Sequence, residues 1–336
     1  MDAAGAAVDV DSGGAVAAVA VVGSGSIGVA WATVFAGAGR AVRIFEIDPA
    51  RRAVVPAEVE AILDGLEAAG VLEGSASQAR ARITVWSTLA EAVEGVDYVQ
   101  ECIGEDVEVK RRMFADLDRL TGPDVVLASS SSTIEASRFA AGLDGRERCL
   151  VVHPGNPPFF LRVAEVVPAP FTSERSIRVA SELLQSCGIA PILINAEIEG
   201  FVFNRLQGAL LREAYCLVRD GVVSPVDLDT IVREGLGLRW SVIGPFATSE
   251  LNTRGGLRRH AEVLGPVYAR MGLERGADDP WSPETVERVA ARIEEALPYD
   301  SWDENVRVRD AAMMELLAVR RGAANPLGAG GHVAGA

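Results

Sequence analysis

Ala17-Ala18-Val19-Ala20-Val21-Val22-Gly23-Ser24-Gly25-Ser26-Ile27-Gly28 is an apolar run that ends in the pattern G-x-G-x-x-G. A run of small and β-branched residues reads as a buried strand, and the residues from there to Phe35 carry a helical pattern. The glycines therefore occupy a strand-to-helix turn. Gly23 permits the tight turn, Gly25 lets a pyrophosphate approach the backbone, and Gly28 allows helix and strand to pack closely. Free N–H groups at the start of the helix then hold the phosphate charge. The next strand ends at Glu46, eighteen residues past Gly28, where a carboxylate accepts hydrogen bonds from adenine ribose hydroxyls. Strand, helix and acid together set the motif apart from a plain tight turn and point to NAD rather than NADP. Arg51 and Arg52 have two readings, a guanidinium for a 2′-phosphate or ordinary helix-surface charge.

Along the rest of the chain, Val16–Val22, Val42–Glu46, Tyr98–Cys102, Val125–Ala128 and Leu150–His153 read as buried strands separated by helical stretches. That alternation predicts an α/β domain with a parallel sheet, because each right-handed crossover needs a helix to return the chain. Strand signals stop near Gly200, where the strand-like PILIN gives way to helical spacing from Phe201 to Arg219 and beyond. The expected organisation is a tail over 1–14, a Rossmann-like NAD-binding domain over 15–198, a helical domain over 199–321 and a Gly/Ala tail over 322–336. The Ser-Pro pairs at Ser224 and Ser282 read as helix starts.

Composition narrows the function classes. The chain has 336 residues, 49% apolar and 24% charged, which suits a folded two-domain protein. Its net charge of −15 opposes nucleic acid as a partner. Residues 12–39 carry no charge, but the glycines and serines break that run, so no membrane span is expected. Asp2, Asp9 and Asp11 precede it without Lys or Arg, unlike a signal peptide. The four cysteines form no C-x-x-C pair and no metal site is expected. A cytoplasmic protein with reduced thiols is the expectation.

Histidine is the usual general base at neutral pH, and the chain offers His153, His260 and His332. His332 lies in the glycine tail and His260 in a charged helical stretch. His153 ends the strand CLVVH, at the sheet edge where open α/β folds bind ligands. Glu165 sits in the apolar segment VAEVV, a costly place for a carboxylate without a partner. A His153–Glu165 pair resolves both, although a packed histidine with a satisfied hydrogen bond is the plainer alternative. Ser129–Thr133 follows VVLA and reads as a loop with a helix N-cap, or as a cluster of hydroxyls at the ligand edge. Asn204, early in the helix beginning FVFNRL, needs a hydrogen-bond partner of some kind.

Taken together, the blocks VVGSGSIGVAWATVFAGAG, YVQECIGEDVEVKRRMF, ASSSSTIEAS, HPGNPPFFLRVAEVVP, EGFVFNRLQGALLREA and GLGLRWSVIGPF resemble the 3-hydroxyacyl-CoA dehydrogenase superfamily from Val16 to about Arg320. H-P-x-N-P-P and the G-L-G-x-R-[WY] block look most like its λ-crystallin and L-gulonate 3-dehydrogenase branch. The resemblance implies His153 as base, Glu165 as its orienting carboxylate, and Ser132 and Asn204 at the reacting hydroxyl. It implies Ser26, Ile27 and Glu46 on the cofactor side, with Glu105 and Lys110 near the nicotinamide half, and a homodimer formed through the helical domain. Gly155 stands where that branch carries a bulkier residue, which predicts a wider pocket beside His153. Arg239, beside Trp240, is the candidate for a substrate carboxylate, with a structural bridge as its other reading. The implied reaction is oxidation of a small 3-hydroxy acid by NAD. The alternatives are a 3-hydroxyacyl thioester on CoA or a carrier protein, a carnitine-type hydroxy acid, or a structural role like that of λ-crystallin. Residues 56–79 contain no Lys or Arg for a CoA phosphate.

Overall fold

The computed structural model describes residues 16–275, 282–296 and 298–322. Both expected tails fall outside these residues, apart from the helix end at Gly322, and so does His332. The chain divides between Asn204 and Arg205 into two compact units.

The first unit runs β1 (Ala18–Val22), α1 (Ser26–Gly37), β2 (Ala41–Phe45), α2 (Pro49–Ala68), α3 (Ala76–Arg80), β3 (Ile83–Trp86), α4 (Leu89–Val93) and β4 (Tyr98–Glu101). It continues through α5 (Val107–Leu120), β5 (Val126–Ser129), α6 (Ala136–Ala140), β6 (Cys149–Pro154), β7 (Val163–Pro168), α7 (Glu174–Ser186) and β8 (Ala190–Leu193). All eight strands form one sheet in the order β3-β2-β1-β4-β5-β6-β7-β8. The order reverses at β1, which pairs in parallel with both β2 and β4. Beyond the carboxyl ends of such neighbours the two connections depart in opposite directions and leave a crevice.

Central strands buried on both faces explain the unbroken apolar runs. Val19 through Val22 are inaccessible, as are Tyr98 and Val99 of β4. Alternate β4 side chains meet different helices. Tyr98 packs against Phe35 of α1, ring centres 6.3 Å apart, and Phe35 stacks on Trp31 at 5.1 Å. Val99 belongs to the opposite cluster, with Phe114 and Leu117 of α5.

Two features differ from the sequence reading. β3 carries no long apolar run and is only four residues long, so its signal was lost among charged neighbours. The sheet is also not parallel throughout, since β7 runs antiparallel to β6. Residues 155–162 join those strands without a crossover helix, and a short direct link returns a strand beside its predecessor in reverse.

The second unit is helical, as expected: the rest of α8 (Phe203–Arg219), then α9 (Pro225–Thr230), α10 (Leu238–Trp240), α11 (Pro245–Asn252), α12 (Gly256–Arg275), α13 (Pro283–Ala296) and α14 (Trp302–Gly322). A π-helical segment, Ile231–Gly237, leads directly into α10. Ser224 caps α9 by accepting from the Asp227 N–H at 3.2 Å, and Ser282 does the same for Thr285 at 3.2 Å. Both Ser-Pro readings hold.

The four cysteines are free. Burial pushes the Cys149 thiol up to about 12 and also raises those of Cys102 and Cys187.

Candidate active site

The turn after β1 has the geometry that its glycines require. Gly23 has φ +97° and donates its N–H to the Phe45 carbonyl at 2.9 Å. No side chain caps α1, so the first N–H groups of that helix, from Ser26 onward, keep their hydrogen-bonding capacity for a ligand. A Cβ at Gly25 would meet nothing within 4 Å, so the backbone there is open to close approach. An uncapped helix start beside a bare, open glycine fits a dinucleotide pyrophosphate. Ser26 is exposed and Ile27 half-buried on this rim.

Glu46 lies at the end of β2 and is drawn to the same turn. Its carboxylate accepts from Ser24 Oγ at 2.6 Å, Ser24 N–H at 3.1 Å and Asp48 N–H at 2.9 Å. Burial raises its pKa, but these bonds outweigh burial and hold it below the usual carboxylate range. Both nearby arginines are already engaged, and Arg51 also donates to the Ser24 carbonyl of the same turn at 2.5 Å. Arg51 grips Glu58 at 2.7 and 2.8 Å, and Arg52 donates to the carbonyls of Glu46 and Ile47, both at 2.8 Å. A charged Glu46 and occupied guanidinium groups leave a 2′-phosphate with a repelling neighbour. Glu46→Ala is expected to reduce the preference for NAD over NADP in kcat/KM by about tenfold or more, roughly 1.4 kcal/mol. An unchanged ratio would remove Glu46 from cofactor selection.

Across the sheet, the antiparallel register sets His153 of β6 directly opposite Glu165 of β7. His153 Nδ1 lies 2.7 Å from Glu165 Oε2, and both residues are 5% exposed. The other carboxylate oxygen, Oε1, accepts the N–H groups of Val202 and Phe203 at 2.8 and 2.9 Å. Burial raises the Glu165 carboxyl, but the bonds from His153, Phe203 and Val202 prevail and keep it below the usual range. It is therefore a carboxylate at neutral pH that accepts from Nδ1–H, and in the neutral imidazole tautomer so selected Nε2 carries the lone pair. Val202 and Phe203 follow a left-handed turn at Gly200 and Phe201, with φ 74° and 49°. The Phe201 ring is fully buried, 5.6 Å from the imidazole centre, and Phe203 lies 6.2 Å away.

A carboxylate with a depressed folded-state pKa adds stability that is complete above its unfolded value and is lost as pH falls through the folded value. For Glu165 that window lies below the ordinary 4.5. Wild-type protein is therefore expected to lose more Tm between about pH 5 and pH 3 than Glu165→Gln does. Parallel Tm-versus-pH curves would show that the Glu165 carboxylate does not favour the fold.

Asn204 joins this pair to the serine loop, donating through Nδ2 to the Ser132 carbonyl at 2.9 Å. Ser132 N–H donates to Glu105, and Ser131 Oγ donates to the second Glu105 oxygen at 2.8 Å. His153, Glu165, the 202–204 segment, Ser132 and Glu105 thus form one connected set within the first unit. Lys110 lies beneath the loop and not on its rim. It is 1% exposed, with Nζ 2.9 Å from both Glu101 oxygens. Glu101 in turn accepts from Ser129 Oγ at 2.6 Å and Ile103 N–H at 2.6 Å. Sequence reasoning missed Glu101, whose signal was a carboxylate at the end of a fully buried central strand. Glu165 and Ser132 hold residues 202–204 by these bonds, and the first unit accordingly runs to Asn204.

The wider pocket predicted from Gly155 is not formed in that way. A Cβ there would lie 2.6 Å from Leu161 Cβ and 3.1 Å from the Leu161 carbonyl oxygen. The position faces its own hairpin link, and the glycine permits that close packing. Arg239 is an exposed residue of α10 in the second unit, and His260 is half-buried in α12, its ring 6.1 Å from that of Tyr268.

Residues 18–198 match the NAD-binding domain of 3-hydroxyacyl-CoA dehydrogenase and residues 200–290 match its C-terminal domain. The chain is 42% identical over 261 residues to the λ-crystallin homologue of Bos taurus, covering 74% of this chain and 81% of the relative. A 3-hydroxyacyl-CoA dehydrogenase of Gibberella moniliformis is 36% identical over 325 residues, covering 94% and 98%. The solved structure of 5-formyl-3-hydroxy-2-methylpyridine 4-carboxylic acid 5-dehydrogenase, an NAD+-dependent dismutase, has a TM-score of 0.77 at 27% identity, covering 91% of this chain and 98% of that one. An NAD-binding domain in the first unit and the family's own helical domain after it establish that the chain belongs to the 3-hydroxyacyl-CoA dehydrogenase family of NAD-dependent oxidoreductases.

Proposed function

We propose that the protein oxidises the 3-hydroxyl of a small hydroxy acid of the L-gulonate type, with His153 as general base. The observation that carries this reading is the 2.7 Å His153–Glu165 bond at the carboxyl edge of the sheet. His153 Nε2 takes the proton of the substrate hydroxyl, and the Glu165 carboxylate holds the tautomer and stabilises the resulting imidazolium. When bound, NAD supplies the nicotinamide ring that accepts the carbinol hydrogen as hydride. Asn204 spends one amide hydrogen on Ser132 and keeps the other for the substrate oxygen, where the Ser132 hydroxyl also donates. Ser24, Gly25 and Glu46 bind the adenine half. Glu105 and Lys110 support the nicotinamide side through the serine loop.

The absence of Lys and Arg over residues 56–79 favours a free acid over a CoA ester. The strong match to a 3-hydroxyacyl-CoA dehydrogenase favours the thioester instead. Turnover of L-gulonate, L-carnitine and 3-hydroxybutyryl-CoA with NAD decides between them. Highest kcat/KM on L-gulonate supports the proposal, and reaction of the thioester or of carnitine alone overturns it. A role as a purely structural protein is disfavoured by the intact set of Ser132, His153, Glu165 and Asn204.

No helix among the described residues is long and apolar enough to cross a membrane, and a cytoplasmic location is part of the proposal. So is a homodimer through the helical unit. Among its described residues, the buried apolar side chains are Cys216 and Val218, while Leu206, Phe246, Leu251 and Leu273 are each at least 66% exposed. A second copy would cover such faces. Light scattering that gives a monomer at micromolar concentration would overturn this part.

A further inference from the structure

Three of the four consecutive serines are committed to holding the loop that carries the fourth. Side chains alternate between faces along the end of β5. Ser129 turns to the α5 side, where its hydroxyl donates to Glu101 at 2.6 Å. Ser130 turns to the α1 side, where its oxygen accepts from Gln100 Nε2 at 2.8 Å and from Trp31 Nε1 at 3.1 Å. Its own hydrogen then has Cys102 Sγ within reach at 3.3 Å. Ser131 donates to Glu105 at 2.8 Å and accepts from the Ile134 N–H at 2.8 Å.

Gln100 is the unusual member. It is a fully buried amide in the central strand β4, a position where an apolar residue would avoid the cost of desolvation. Every polar group of this amide is used. Oε1 accepts from the Tyr98 hydroxyl at 2.9 Å, which fixes the amide so that Nε2 points to Ser130 Oγ at 2.8 Å and the Val152 carbonyl at 3.4 Å. Backbone pairing of β5 with β6 extends to Ser129 opposite Val151. The Gln100 amide therefore spans the two strands where the ladder has ended, between the residue before His153 and the residue two before Ser132.

We infer that Gln100 and Ser130 are positioning residues that set the separation of Ser132 from His153 and tie both to α1 through Trp31. The inference rests on the proposed reading of His153 as base and Ser132 as hydroxyl contact. Losing the bridge would let the two strand ends move independently, and a misplacement of about 1 Å can cost about a hundredfold in rate.

The test compares Gln100→Leu, Ser130→Ala and Ser130→Thr with wild type and with His153→Ala. NADH binding is titrated by fluorescence, thermal melting is recorded, and kcat is expressed per NADH-binding site on whichever hydroxy substrate the wild type turns over. Gln100→Leu and Ser130→Ala are expected to bind NADH within about twofold of wild type and to lose about tenfold to a hundredfold in kcat. Ser130→Thr, which keeps the hydroxyl, is expected to recover most of that loss. If kcat per binding site is unchanged in Ser130→Ala, the positioning role is wrong, and this variant decides alone should Gln100→Leu not fold. If Ser130→Thr is as impaired as Ser130→Ala, the hydroxyl is not the element that matters and the inference also falls. Normal turnover by His153→Ala would instead sink the proposed base, whatever the other variants do.

Discussion

His153→Ala is expected to lower turnover by about 10²- to 10⁴-fold while NADH binding stays within about twofold. The proposed base would be gone, but Glu46 and the turn at Gly23–Gly28, proposed to bind the cofactor, lie at β1 and β2, away from β6 in the strand order. Truncation also vacates the space against Phe201 and Phe203 and leaves Glu165 Oε2 without its 2.7 Å partner, so some stability is lost. His153→Gln fills more of that space and supplies an amide without a base. Both variants should therefore be inactive, although Gln is expected to melt closer to wild type. Turnover retained by either variant would remove His153 from the chemistry.

Gly28→Ala is expected to damage both fold and cofactor binding, whereas Gly25→Ala should damage binding alone. A Cβ at Gly28 would lie 2.0 Å from the Gly23 carbonyl oxygen and 2.9 Å from its carbon, well inside contact distance. Gly23 cannot retreat. Its N–H is held by Phe45 of β2 at 2.9 Å, and on its other side the Cys102 carbonyl oxygen would be 3.1 Å from a Cβ. Overpacking against pinned backbone costs about 3 kcal/mol, which for a unit of this size lowers Tm by roughly 6–12 °C. NAD affinity should fall at least about tenfold as the turn distorts. At Gly25 a methyl group meets nothing within 4 Å, so Tm should hold while the methyl intrudes where the pyrophosphate approaches. Equal Tm losses in the two variants, or unimpaired NAD binding by Gly25→Ala, would contradict this division of labour.

Much of this was legible from the chain because burial leaves a compositional trace. β1, β2, β5 and β6 announce themselves as apolar runs containing β-branched residues, β4 does so through Tyr98 and Val99, and Gly23, Gly25 and Gly28 mark the turn between the first strand and its helix. The His153–Glu165 pair was legible because a carboxylate in VAEVV demands a partner. What was not legible depends on direction and distance. Periodicity is the same for parallel and antiparallel strands, so the reversal of β7 was decided by the short helix-free link at 155–162. The bonds from Val202 and Phe203 to Glu165 involve backbone N–H groups, which every residue carries. Ser129 through Ser132 have identical side chains, and only their alternation across the sheet separates the holding serines from Ser132. At Gly155 the missing side chain was assigned to the wrong direction, because a sequence does not say which way a Cβ points in an irregular turn.

The buried thiols have a practical consequence. Alkylating agents and peroxides attack the thiolate, and a thiol raised as far as that of Cys149 is overwhelmingly protonated near neutrality. Cys102 and Cys187 are shifted in the same direction by the same burial. With Cys149 and Cys187 buried and their thiols shifted upward, hydride chemistry on this scaffold does not draw on those two sulfurs, and its rate is expected to be the same with and without added thiol reductant.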